Sequence, residues 1–296
     1  MNINSAYILE DRGILHISGA DAKDFLQNII TNDLNNVSDS SSCFSSLLTP
    51  QGKFLFEFLV IKHKEGYFFD CEKTQIDDLF KQLSLYKLRS NVQILNLSNE
   101  FVVTAFGYEK FKSIEGSKDE LGFTMKYLED SIFLDPRNKK LGARLIINLE
   151  KLDLSLKKLN LKSAKPEEYY DLSFELGIHQ KNTNKLKDKI FGLECNFEEL
   201  NAISFQKGCY VGQENTSRIK LRNKLRRRIL PIKKISGELN ENDIIKYKNK
   251  EIGKILIDKP YTFGLIKIVE PDLKEFTNIE LECEKSKVKI LKPEWI

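Results

Sequence analysis

Cys209 offers the most reactive chemistry in this chain, and its neighbours set what that chemistry is. It stands in Lys207-Gly208-Cys209-Tyr210-Val211-Gly212-Gln213-Glu214, two residues after a lysine and five before a carboxylate. A nearby cation raises the thiolate fraction of a cysteine, and the thiolate serves as nucleophile, metal ligand and redox-sensitive form. Lys207 supplies that cation, so Cys209 and Lys207 form the candidate catalytic pair. Gly208 and Gly212 bracket the thiol and permit backbone conformations that a side chain would forbid. Tyr210 and Gln213 either orient a bound molecule or close the turn through hydrogen bonds. Glu214 has Lys207 or Arg218 to pair with. A lone cysteine is more often a buried, inert hydrophobe; the bracketing glycines weigh against that here. A dense basic run, Lys220 to Arg228, follows at once. It reads either as a solvated connection or as a site for phosphate or polycarboxylate groups.

The remaining cysteines and histidines build no metal site. Five cysteines, at 43, 71, 195, 209 and 283, are an odd number without a Cys-x-x-Cys pair. That argues against a disulfide framework and for a reducing, cytoplasmic setting. An iron–sulfur cluster held within the chain calls for closely spaced cysteines, which are lacking. His16, His63 and His179 lack zinc-ligand spacing. A chain of 296 residues with 41% apolar composition has enough for two or three packed units. No apolar run reaches the length of a membrane span and no signal peptide is visible, so no membrane partner is expected. The net charge of +4 is mild, and an RNA-binding module resting on Arg226-Arg227-Arg228 ranks last because aromatic residues do not interleave with the basic ones.

The elements that must position the thiol alternate between two periods. Residues 7–17 carry a strand pattern ending at Ser18-Gly19. Ala22, Phe25, Leu26, Ile29 and Ile30 then follow helical spacing, with Asp21 as the expected cap. Strands are expected at 43–48, 54–61 and 67–71, the first two joined through Thr49-Pro50-Gln51-Gly52-Lys53. A second helix is expected over 75–88 with Thr74 as cap, short strands and one short helix over 91–148, and a third helix from Pro166 stopped by Gly177. Six short strand patterns after Arg228 predict a small all-β, barrel-like domain. The boundary falls near residue 225, giving regions 1–225 and 226–296. The fold class is α+β, with antiparallel sheets covered by helices.

The eight residues from Lys207 to Glu214 resemble the signature of the YgfZ-type folate-binding proteins, a branch of the glycine-cleavage T-protein (aminomethyltransferase) superfamily associated with iron–sulfur protein maturation. Further likeness runs through Ile17 to Asp21, Thr31-Asn32-Asp33, the Thr49–Lys53 turn, and Tyr169 to Gly177. The resemblance implies two interlocked α+β units around a central folate channel, followed by a β-barrel. It implies tetrahydrofolate, or a one-carbon derivative, as ligand, and iron–sulfur client or assembly proteins as partners. Glu175 lies where the superfamily places its pterin-binding acid, and a carboxylate suits the paired N–H groups of a pterin edge. Its bland alternative is a solvated acid in the last turn of a helix. Tyr169 corresponds to a folate-contacting aromatic, with core packing as the alternative. Asn32 completes the implied folate contacts, with Arg218 or the basic run after it toward the tail carboxylates.

One departure counts against transferase chemistry. The aminomethyltransferases carry an adjacent Asp-Asp pair after the glycine turn, and Phe56-Glu57 stands there in this chain. The expected function is a tetrahydrofolate-binding accessory protein for assembly or repair of iron–sulfur clusters. A folate-dependent aminomethyltransferase or demethylase is the alternative.

Overall fold

The computed structural model describes every residue except Met1, Lys224 and Glu270. In chain order the first elements are β1 (Ser5–Ile8), β2 (Arg12–Ser18), α1 (Ala22–Ile29), β3 (Cys43–Leu48), β4 (Phe54–His63), β5 (Gly66–Glu72), α2 (Ile76–Lys87) and β6 (Gln93–Asn96). There follow β7 (Phe101–Phe106), α3 (Tyr108–Lys112), β8 (Thr124–Tyr127), β9 (Asp130–Leu134), β10 (Ala143–Asn148), α4 (Leu152–Lys158), β11 (Lys162–Ala164), α5 (Pro166–Glu175) and α6 (Gln213–Leu221). The C-terminal part holds β12 (Arg227–Ser236), β13 (Ile244–Tyr247), β14 (Lys250–Ile257), β15 (Phe263–Lys267), α7 (Leu273–Phe276), β16 (Leu281–Cys283) and β17 (Ser286–Ile290).

These elements make one five-stranded sheet, β3-β4-β5-β2-β6, one six-stranded sheet, β11-β1-β7-β10-β9-β8, and a closed barrel, β12-β15-β14-β13-β16-β17. The α+β class and the barrel expected from the strand spacing are both present. Among the described residues no helix is long and apolar enough to cross a membrane. The chain forms two compact units. One comprises Met1–Leu47, Phe56–Tyr170 and Leu200–Val211; the other comprises Leu48–Leu55, Asp171–Glu199 and Gly212–Ile296.

In the first unit, Phe106, Phe111, Ile132, Leu134, Leu145 and Leu156 anchor an apolar cluster between the six-stranded sheet and the short helices α3 and α4. Each such side chain contributes roughly 1.5–3 kcal/mol by leaving water. In the second unit, alternation along the barrel strands sends Leu230, Ile232, Ile255, Ile266, Val288 and Ile290 into the barrel interior, with Phe276 of α7 packed among them.

Several local expectations need correcting. Residues 7–17 form two strands in different sheets, because the chain bends between Ile8 and Arg12 and Arg12 N donates to Leu9 O at 3.1 Å. Asp21 precedes α1 but makes no cap with its side chain; its Oδ2 accepts from Asn91 N at 2.7 Å instead. Thr74 lies inside a short 3-10 turn, Lys73–Gln75, and Gln75 takes the cap position of α2. α4 and α6 go beyond the sequence reading; in the first, leucines at every second position, Leu152, Leu154 and Leu156, alternate like a strand.

Candidate functional site

The segment carrying Cys209 is tied at its start to the end of α1. Thr31 Oγ1 donates to Ala202 O at 2.7 Å, and Ser204 N donates to Thr31 O at 3.1 Å. Asn32 Nδ2 donates to Phe44 O at 2.8 Å and to Asn201 O at 2.7 Å, while its Oδ1 accepts from Asp33 N at 2.8 Å. Three residues on, Lys207 is buried, and its Nζ donates to the carbonyls of Gln27 at 2.7 Å, Ile30 at 2.7 Å and Asn32 at 2.8 Å. An ammonium has three N–H donors, and all three are engaged here. A cation at the C-terminal end of a helix also meets the negative end of its dipole. Tyr210 is buried as well, its ring centroid 5.2 Å from the Lys207 ammonium.

Between these anchors the chain is open. Cys209 is exposed, whereas Cys43, Cys71, Cys195 and Cys283 are buried. Burial pushes the Cys43 and Cys283 thiols up to about 12. Nothing lies within 4 Å of where a Cβ on Gly208 would stand. Gly208 also lacks the positive φ expected of it; its missing side chain leaves the thiol uncovered.

Lys207 therefore acts on the backbone of α1 and not as the thiol-activating cation its spacing suggested. Burial pulls its ammonium down to about 8, against the Asp33 charge that favours the proton. Burial also works against the Asp33 carboxylate, but hydrogen bonds from Asn35 N and Gln27 Nε2, with the Lys207 charge, hold it below its usual range.

The second half of the signature opens a helix. Gly212 is left-handed at φ +86 and is the N-cap of α6, whose first two residues are Gln213, half-buried, and Glu214, exposed. A Cβ on Gly212 would stand 2.5 Å from Thr49 O and 3.0 Å from Leu48 Cβ, so only glycine fits against the Thr49–Lys53 turn. Asn215 Nδ2 donates to Gln51 O at 3.0 Å and Thr216 Oγ1 to Gly212 O at 3.0 Å, which seats the helix there. Glu214 pairs with Arg218, Oε1 to Nη2 at 2.5 Å, both exposed.

The residues implied for folate are placed as follows. Glu175 is the last residue of α5 and is exposed. Tyr169, also on α5, has no exposure, and its hydroxyl accepts from Arg144 Nη2 at 2.9 Å. Phe56 and Glu57 are both buried on β4. A ligand contact requires a free donor, acceptor or ring face. The exposed carboxylate of Glu175 meets that requirement, and exposed Arg218 does so through the N–H groups outside its pair with Glu214. Asn32 has its amide committed to the backbone, and no face of the Tyr169 ring reaches solvent, so these two do not fit a folate contact as they stand.

Beside Tyr169 lies a buried charge network that the sequence reading missed. Arg12 Nε donates to Asp70 Oδ1 at 2.6 Å and its Nη2 to Asp70 O at 2.8 Å; Arg144 Nη1 donates to Asp70 Oδ2. Arg137 grips Asp135 through Nε to Oδ1 at 2.9 Å and Nη2 to Oδ2 at 2.7 Å, and Arg144 Nε stands 3.5 Å from Asp135 Oδ2. A charged residue flanked by apolar neighbours in a strand, Arg144 between Ala143 and Leu145 and Asp70 between Phe69 and Cys71, was the available signal.

Similarity to known proteins runs in two directions. No family model matches the chain. Over 252 residues it is 28% identical to the mitochondrial iron–sulfur cluster assembly factor IBA57 homologue of Dictyostelium discoideum, covering 76% of this chain and 61% of that protein. It is 29% identical over 238 residues to the Neurospora crassa homologue, covering 75% and 52%, and 24% identical over 245 residues to mouse IBA57, covering 77% and 66%. The matches thus span about half to two thirds of these curated relatives. Their mitochondrial placement overturns the cytoplasmic expectation: free cysteines report a reducing setting but do not name the compartment. Among solved structures, the glycine cleavage system aminomethyltransferase T from Bartonella henselae superposes with a TM-score of 0.74 at 12% identity, covering 99% of this chain and 86% of that one. The chain has the T-protein fold.

Proposed function

We propose that this protein is a YgfZ-type accessory factor for the assembly or repair of iron–sulfur clusters, and that Cys209 is its working thiol. The observation that carries the reading is the contrast among its cysteines. Cys209 is exposed between two buried anchors, Lys207 and Tyr210, while the other four cysteines are buried. A thiolate is a ligand for iron and a partner in thiol exchange, and an exposed thiol on a tied loop can meet a client protein. The similarity to iron–sulfur cluster assembly factors points the same way.

Tetrahydrofolate, or a one-carbon derivative, is the ligand we propose, supported by the T-protein fold and the exposed carboxylate of Glu175. Bound there, it would supply a one-carbon carrier. Arg218 is available for a tail carboxylate, whereas Asn32 and Tyr169 support the fold. The aminomethyltransferase reading shares the fold but stands second, because Phe56 and Glu57 replace the paired carboxylates of that branch.

The test has two arms. Cys209→Ser is expected to keep the thermal transition and tetrahydrofolate binding, yet fail to restore iron–sulfur enzyme activity in a deletion strain. Full restoration would reduce the loop to a structural turn. In calorimetric titration, Glu175→Gln is expected to bind tetrahydrofolate at least about tenfold more weakly, and unchanged affinity would remove Glu175 from the site.

A further inference from the structure

The basic run that follows the signature contributes to a cavity that the reading above does not use. This cavity, of about 550 Å3, lies within the second unit where α6 leads into β12. Phe191, Ile219, Leu225 and Val269 supply apolar wall, and Arg226, Arg227 and Lys267 supply positive charge. Among the described lining residues the single carboxylate is already matched. Glu194 is buried, its Oε1 accepts from Arg227 Nε at 2.9 Å and its Oε2 from Phe191 N at 2.9 Å. It thereby fixes Arg227 by one nitrogen, and the Arg227 side chain stays 44% exposed, with further N–H groups for an incoming anion. With Glu194 balanced by Arg227, Arg226 and Lys267 remain as positive excess among the described lining residues. Lys220 and Arg228, by contrast, are paired with Glu198 and Glu199. The run is thus divided between ion pairs that fix its path and cations that line the cavity.

We infer that this cavity is a binding site for a small organic anion with a flat apolar body, such as an aryl carboxylate, sulfonate or phosphate. The size falls within the range of small-molecule pockets, roughly 300–1,000 Å3. Apolar walls without cations would take a neutral hydrophobe, and cations without apolar walls would take free phosphate; the combination selects an amphipathic anion. The site is separate from the folate reading, which rests on Glu175 and the fold.

A matched pair of fluorescent probes tests it. 8-Anilinonaphthalene-1-sulfonate carries the apolar body and one sulfonate; N-phenyl-1-naphthylamine has the same rings without the charge. The sulfonate is expected to bind one per chain and at least about tenfold more tightly than the neutral dye. Raising salt from about 50 to about 500 mM is expected to weaken only the sulfonate. Arg226→Glu, at an exposed side chain, is expected to lower sulfonate affinity at least about tenfold with an unchanged thermal transition. Val269→Asp, at a wall position that is also exposed, is expected to weaken both dyes, and Lys126→Glu on β8 neither. Equal affinity for the two dyes, or undiminished sulfonate binding by Arg226→Glu, overturns the inference. Displacement of the sulfonate by tetrahydrofolate would make the cavity part of a folate site and overturn its separateness. Loss of tetrahydrofolate binding in Glu175→Gln with dye binding retained would distinguish failure of one reading from failure of the other.

Discussion

At the scale of single residues, Lys207 and Cys209 divide the work of the signature between holding and presenting. Removing the Lys207 ammonium leaves three carbonyls at the end of α1 without their donor, and bonds to a charged group are worth about 1.5–3 kcal/mol each at most, net of hydration. Lys207→Met is therefore expected to lower stability by about 2–3 kcal/mol in urea denaturation and to loosen the segment that carries the thiol. Alkylation of the native protein at neutral pH is expected to label Cys209 well ahead of the four buried cysteines, whose thiols the reagent reaches only by opening the fold. Labelling of Cys43 or Cys195 at a comparable rate would contradict that. The sequence singled out Lys207 and Cys209 through their types and spacing, and the structure buries the first and exposes the second. The sequence misdirected the reading of Lys207, because proximity along the chain says nothing about where a long side chain reaches. Its acceptors, Gln27, Ile30 and Asn32, lie some 175–180 positions away.

At the scale of elements, periodicity served well where one face of a strand or helix meets a core. β3 was expected at 43–48 and is found at Cys43–Leu48; the six strand patterns after Arg228 correspond to the six barrel strands β12 to β17. It failed where tertiary contacts decide. α6 has little apolar character, and it forms because Gly212 and the Thr49–Lys53 turn fit together and Asn215 caps that turn. The two signature glycines accordingly differ. Gly212→Ala places a Cβ against Thr49 O in a left-handed backbone and is expected to cost more than about 2 kcal/mol. Gly208→Ala meets open space at ordinary φ and is expected to change stability by less than about 0.5 kcal/mol, while partly covering the thiol. Parallel urea titrations would check the pair, and equal losses would refute the distinction.

At the scale of the whole molecule, the groups that stay uncharged or paired in the interior set how the fold responds to acid. In the first unit, Asp70 and Asp135 are enclosed by Arg12, Arg137 and Arg144. Breaking a buried pair leaves an uncompensated charge, so Asp70→Asn is expected to lose about 3–5 kcal/mol. The same unit buries His63 flat against Phe68, ring centroids 3.9 Å apart, with His16 edge-on at 5.8 Å. Burial, then the neighbouring His16, Lys64 and Lys126, lowers His63 from the ordinary 6.5 to about 4. Burial lowers His16 as well. Above pH 6.5 His63 is neutral folded and unfolded, and its contribution to stability is complete. Between about pH 6.5 and 4 the unfolded chain takes up a proton that the folded one refuses, so stability falls with falling pH, by up to about 3 kcal/mol from this group. Below pH 4 both forms are protonated and His63 adds no further slope. Asp135, held below its usual range against burial by Arg137 and Arg144, responds only in more acid solution. His63→Phe keeps a flat ring against Phe68 but removes the titration. Its thermal midpoint is expected to decline less than that of the parent between pH 6.5 and 4.5, and an identical decline would assign the acid sensitivity to other groups.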